Sequence, residues 1–150
     1  MKLFQIEEPE GGPVDPSAPG AAIGVDAAGA RVEVAFSVGG NALALADREG
    51  FEHTILVPAI AADEARWQAL FEAARARAER ALARPVTDAV IVLGGTIEGE
   101  AANRLSEAAR RAGLGILRFT AATELPGGAT PALAAAILAE DLAPRPELDS

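Results

Sequence analysis

Between residues 31 and 38 apolar and polar positions alternate, with Val32, Val34, Phe36 and Val38 on one side and Arg31, Glu33 and Ser37 on the other. A period of two predicts a half-buried strand. Gly39-Gly40-Asn41 supplies the positive-φ residues of a hairpin turn into a further strand over Ala42 to Ala46. Ahead of this pair, Ala22 to Asp26 is a short apolar run, and behind it Asp47-Arg48-Glu49-Gly50 reads as another turn. His53 to Ile60 contains Thr54, Ile55, Leu56 and Val57, residues that favour extended structure.

The period then changes. From Ala62 to Ala83, Trp67, Leu70, Phe71, Ala74, Ala78, Ala81 and Leu82 recur at helical spacing opposite a face of Arg and Glu, and Pro85 marks the end. Ala89 to Leu93 is apolar without alternation, as in a strand buried on both faces, and Gly94-Gly95-Thr96 breaks it. Glu98 to Ala112 is a second amphipathic helix, acidic at Glu98 and Glu100, basic at Arg110 and Arg111, with Gly113 as its stop. Leu114 to Phe119 is another apolar strand, and Thr130-Pro131 starts a last helix through about Leu142. The predicted order is three strands, then helix, strand, helix, strand, helix. That is the order of the ribonuclease-H-like α/β fold, a mixed five-stranded sheet with helices on both faces and the repeating core of actin-like ATPases.

Composition sets the limits of that picture. The 150 residues match one domain, predicted over 21–143, and half of them are apolar while only 4% are aromatic, so Val, Ile, Leu and many alanines must fill the core. Residues 7–20 hold four prolines and three glycines, which predicts a flexible linker behind a short leader; Pro144-Arg145-Pro146 predicts the end of ordered structure, with 144–150 as a disordered tail. A net charge of −9 disfavours nucleic acid and anionic membranes. No window holds the apolar length of a spanning helix, and the N-terminus turns acidic before a signal-peptide core, so the predicted setting is cytoplasmic. With no cysteine and a single histidine, His53, metal chemistry has few ligands to draw on.

Several stretches carry a family resemblance. Val86-Thr87-Asp88-Ala89-Val90-Ile91, then Ala112-Gly113-Leu114 and Ile116-Leu117-Arg118, resemble the DnaK-family stretch that carries the fourth strand, second helix and fifth strand of the first ATPase lobe. Ala22-Ile23-Gly24-Val25-Asp26 resembles that family's first phosphate-loop strand. Leu45-Ala46-Asp47, Glu49-Gly50 and Leu56-Val57-Pro58 resemble the family's next segments after that strand. Leu3-Phe4-Gln5-Ile6-Glu7-Glu8-Pro9, set before the proline-rich spacer, is similar to the leader of HscA-type chaperones, which assist iron–sulfur cluster transfer.

Within that resemblance the departures are chemical. The family's phosphate loop holds a glycine and hydroxyl residues whose donors cradle phosphates, whereas this chain reads Ala27-Ala28-Gly29-Ala30-Arg31 and keeps only Asp26. The peripheral subdomain that carries the phosphate-contacting lysine is bypassed between Ile60 and Ala62, and the family's Pro-Ala-Tyr-Phe turn is replaced by Gly94-Gly95-Thr96-Ile97. The family's catalytic-site glutamate aligns with Ala122, with Glu124 two places on. Phosphoryl transfer is positioning and charge stabilisation, so the resemblance implies a lost activity and a vestigial nucleotide site at Asp26, Gly29, Gly95 and Thr96. It implies a non-catalytic binding or scaffold module without a cofactor, linked to iron–sulfur assembly and covered by a protein partner or a second copy. The rival reading is weak Mg-ATP binding with residual hydrolysis.

Each candidate residue also has a plain structural reading. Asp26 either holds a metal through water or is an inherited surface residue or helix cap. Gly94-Gly95-Thr96 either binds an anion on free amides or is a tight strand-to-helix turn. A nuclease needs several carboxylates over the sheet; Asp26 with Glu64 or Glu72 supplies two, and the fourth strand ends in glycines where such enzymes place an acid. Trp67 and Phe71 read as core anchors or as surface bared by the missing subdomain, His53 as a surface strand residue, and Arg66, Arg75, Arg77, Arg80 and Arg84 as a solvated helix face.

Overall fold

The computed structural model describes residues 20–46, 54–125 and 130–143. The leader and its spacer up to residue 19, the Asp47–Gly50 turn, His53 and the tail from Pro144 lie outside the described residues. Five strands, β1 (Ala21–Asp26), β2 (Glu33–Val38), β3 (Asn41–Leu45), β4 (Val86–Leu93) and β5 (Gly115–Ala121), form one mixed sheet in the order β3-β2-β1-β4-β5. β1 runs parallel to β4 and β4 to β5, whereas β2 is antiparallel to both β1 and β3. Three helices, α1 (Glu64–Leu82), α2 (Gly99–Arg111) and α3 (Pro131–Leu142), cover the sheet, so the chain is α/β.

The helices divide between the two faces. α1 and α2 enclose the larger core, where Ile23, Val25, Val34, Ile91 and Leu93 meet Trp67, Phe71 and Leu105. α3 lies on the other face against Ala22, Val90 and Val92 and, at its start, against Ala35. β4 is buried on both sides over 89–93, as that unbroken apolar run predicts. Trp67 and Phe71 are core anchors and not surface: their rings lie 5.9 Å apart, and the Trp67 indole donates to the Ala59 carbonyl at 2.9 Å.

Local chemistry fixes the element ends. Asp63 caps α1 by accepting from the Arg66 amide at 3.2 Å, and Thr130 caps α3 by accepting from the Leu133 amide at 3.3 Å, with Pro131 in the first turn. α1 stops at Ala83, which takes a left-handed φ of 57° before Pro85. Gly39 and Gly40 turn β2 into β3 with φ of 61° and 84°, as the hairpin reading predicts. At the end of α2, Glu107 pairs with Arg110 and Arg111, and the Arg110 hydrogen bond holds its carboxyl below the usual range.

Three expectations from the pattern need correction. β2 is not a half-buried strand: Val32 and Val34 face α1, but Ala35 and Ser37 on the other side are also buried, because α3 covers them. Alternation fails as a guide because Ser37 is satisfied by Glu140, 103 positions away. Residues 54–60 form no strand and reach the sheet through one isolated bridge, Arg31 to Leu56. The arginine face of α1 is not wholly solvated either. Arg75 donates to the Ala112 carbonyl at 2.9 Å and to Glu79 at 3.0 Å, while Glu79 also accepts from the Val86 amide at 2.9 Å. That cluster ties α1 to the end of α2 and the start of β4. Arg84 lies over the Phe36 ring, 5.6 Å from its centroid.

The Glu140 carboxylate is a polar tie across the fold. It accepts from Ser37 Oγ at 2.8 Å and from the Gly39 and Gly40 amides at 2.6 and 3.0 Å, so α3 clamps the β2–β3 turn. Three bonds to one ionised group predict that Glu140→Ala lowers unfolding free energy by about 2 kcal/mol. Urea denaturation checks this, and amide exchange at Gly39 and Gly40 should accelerate well ahead of exchange in β4.

Candidate functional site

In open α/β sheets the natural crevice lies beyond the carboxyl ends of parallel strands, where neighbouring connections diverge. Here that place is above β1 and β4. Asp26 closes β1 and pairs with Val92 of β4, which in turn pairs with Thr120 of β5, so the loops after all three strands leave from one end of the sheet.

The first loop is stitched down by its own chain. The Ala27 amide donates to the Val92 carbonyl at 2.8 Å, extending the β1–β4 pairing by one residue. The half-buried Asp26 carboxylate then accepts from the Ala28 amide at 2.9 Å, an Asx turn. On the far side Val57 donates to the Ala30 carbonyl at 3.0 Å, and Val32 donates to the Ile55 carbonyl at 2.9 Å. Asp26 is therefore the residue that shapes the loop, and Gly29 sits exposed at its tip with open space where a Cβ would stand.

The second loop abuts the first. A methyl group built on Gly94 would lie 3.5 Å from the Ala28 carbonyl oxygen, which measures how closely the two turns approach. Gly95 and Thr96 are exposed and line a cleft of about 450 Å³ together with Ile60, Leu93, Ile97 and Glu98. The structure thus brings Gly95 and Thr96 together in one cleft and leaves Asp26 and Gly29 on the neighbouring turn, outside its walls. Among the described residues the charged one of those walls is Glu98, which precedes α2 as an extended residue and caps no amide with its side chain. A carboxylate at a helix start meets the positive end of the dipole itself and repels an incoming phosphate.

The other acids weighed for this site have partners of their own. Glu64 pairs with Arg111 at 3.4 Å, and Glu72 accepts from Gln68 at 2.9 Å. Among the described residues no group of three or more His, Cys, Asp or Glu side chains is placed to hold a metal ion. Glu124 accepts from the Ala121 amide at 3.0 Å and from Thr120 Oγ1 at 3.2 Å, closing the short 3-10 turn Ala122–Glu124 that succeeds β5.

Sequence reasoning misses what binds these loops. The Asx turn at Asp26 has a legible signal, an aspartate two places before a small residue at a strand end. The stitching by residues 55–57 has none, because backbone bonds between distant segments leave no mark on side-chain type. Among the described residues no helix is long and apolar enough to cross a membrane.

No family model matches the sequence, and no curated protein matches it. Among solved structures, the fold is similar to the ethanolamine utilization protein EutJ from Carboxydothermus hydrogenoformans, at 20% identity and a TM-score of 0.46. The likeness covers 74% of this chain and 40% of that one, so the chain spans less than half the length of the structure it matches.

Proposed function

We propose that this chain is a non-catalytic binding module, a ribonuclease-H-like domain of the actin-like ATPase kind in which the turn that clamps phosphate has become a self-satisfied structural turn. The sheet order β3-β2-β1-β4-β5, with its antiparallel half ahead of its parallel half, supports the fold reading. One observation carries the functional reading: the Asp26 carboxylate takes the Ala28 amide. A phosphate would have to displace that bond and then sit near a second carboxylate, Glu98, on the adjoining turn. Neither exchange is favourable for an anion.

A protein partner or a second copy is the proposed ligand of the module. Val38 at the end of β2 and Leu43 within the edge strand β3 are 61% and 56% exposed, and β3 itself carries no charged residue to discourage strand pairing. The HscA-like leader motif is the basis for placing the module beside iron–sulfur assembly.

Calorimetry with Mg-ATP tests the reading. The expected result is no saturable heat at about 5 mM nucleotide, weaker than a millimolar complex. Saturable binding with slow hydrolysis would instead establish the residual ATPase. Light scattering on the full chain gives the second arm, in which a strict monomer that also fails to retain any protein in pull-downs contradicts the binding module.

A further inference from the structure

A second cleft, of about 410 Å³, opens between β5 and α3 and shares no wall with the turns after β1 and β4. Its floor and sides are apolar, from Leu125, Ile137 and Leu138. Arg118 reaches this cleft through an irregularity in the sheet. The β4–β5 register shifts so that Ala89 pairs with Ile116 but Val90 pairs with Arg118, one residue being skipped. Such a bulge changes which face of the strand a side chain occupies. Arg118 thereby lands on the α3 face beside Val90, where a regular strand would have pointed Leu117 alone.

Opposite, on the last turn of α3, Asp141 also lines the cleft. Among the described residues Arg118 and Asp141 form no ion pair within 4.0 Å, with each other or with any other group, and neither makes a side-chain hydrogen bond. The third charged wall residue, Glu124, accepts from the Ala121 amide and Thr120 Oγ1 through one oxygen, Oε1. Among the described residues the cleft therefore holds one cation and two carboxylates, of which Arg118 on β5 and Asp141 on α3 have no side-chain partner. Its volume falls in the range of small-ligand sites, roughly 300–1,000 Å³.

We propose that this cleft binds a small zwitterion with an apolar body, an apolar α-amino acid or its close chemical equivalent. The ligand carboxylate pairs with the Arg118 guanidinium, the ammonium with the Asp141 carboxylate, and the hydrocarbon side chain packs on Leu125, Ile137 and Leu138. A simple fatty acid leaves Asp141 facing its chain, and a simple amine leaves Arg118 unanswered, so charge complementarity selects the molecule that carries both. The cleft is separate from the Asp26 turn, and a nucleotide bound at that turn would leave the amino-acid site standing.

The test is calorimetry of the full chain with L-leucine and L-phenylalanine, beside 4-methylpentanoate and 3-methylbutylamine, which each lack one charge of leucine. The expected result is saturable binding of an amino acid in the millimolar range or tighter, with both single-charge analogues at least about tenfold weaker, a loss of roughly 1.4 kcal/mol each. Arg118→Gln should weaken leucine about as much as removing its carboxylate does, and have little effect on the amine. Asp141→Asn should mirror this for the ammonium. Both positions are exposed, so both variants are expected to keep the wild-type circular dichroism and thermal midpoint. Absence of saturable binding by either amino acid up to about 10 mM overturns the proposal, as does binding that neither variant changes, or equal affinity for 4-methylpentanoate.

Discussion

Replacing Gly24 with alanine is expected to destabilise the protein by about 3 kcal/mol or more, and replacing it with valine to abolish cooperative folding. Gly24 lies in the middle of β1, under α3. A Cβ at this position would stand 2.4 Å from the Ala136 amide nitrogen and 2.7 Å from both the Ala132 carbonyl oxygen and the Ala135 carbonyl carbon. All three are helix backbone atoms, which cannot rotate aside as a side chain can. The whole helix must lift, and with it the contacts that Ala132, Ala135 and Ala136 make with the sheet. Elsewhere a strand glycine replaced by alanine would gain about 0.4–1 kcal/mol through the unfolded chain, so the sign of the change is itself diagnostic. Urea denaturation decides it, and a Gly24→Ala protein within about 0.5 kcal/mol of the parent would show that α3 does not pack on this strand.

Phe71→Ala should cost about 3–5 kcal/mol, the range of a large aromatic removed from a packed core. Phe71 is fully buried against Trp67 in the cluster that joins α1 to the sheet. Total stabilities of domains this size are about 5–15 kcal/mol, so the variant would keep only part of its margin. The single tryptophan is the reporter. Trp67 is 1% exposed, and its emission should shift to the red on unfolding, at a lower urea concentration in the variant than in the parent. A midpoint unchanged by the substitution would place the first helix elsewhere.

How much of the fold is legible in the sequence depends on how far each interaction reaches. Helices α1 and α3 are legible because Trp67, Leu70, Phe71, Ala74 and Ala78 repeat at helical spacing, and because Thr130-Pro131 is a local start signal. The Gly39-Gly40 turn is legible because it needs positive φ, and glycine meets that need at little steric cost. The burial of Ser37 is not, since its polarity is answered by Glu140 from the far end of the chain. Nor is the role of Gly24, which reads as part of a nucleotide-strand motif and is explained by close helix packing.

The candidate site divides in the same way. Gly95 and Thr96 fall on a turn between strand and helix, as their neighbours in sequence predict, and they do line a cleft. The family resemblance makes Asp26 a ligand candidate, whereas the bond it makes is to its own loop. The Arg118 bulge is invisible, because a run such as Ile116-Leu117-Arg118 carries no sign of where the register slips.

The proposed function stands or falls on whether the turn after Asp26 satisfies itself and leaves phosphate ungripped. Amide-resolved NMR titration with Mg-ATP, reading Ala28, Gly29, Gly95 and Thr96, decides this at the atoms concerned. All four amides are expected to keep their positions at about 5 mM nucleotide, with Ala28 remaining slow to exchange because Asp26 holds it. Saturable shifts at Ala28 and Gly29, with the Asp26 bond exchanged for a bound phosphate, would show the opposite: a turn that still clamps nucleotide.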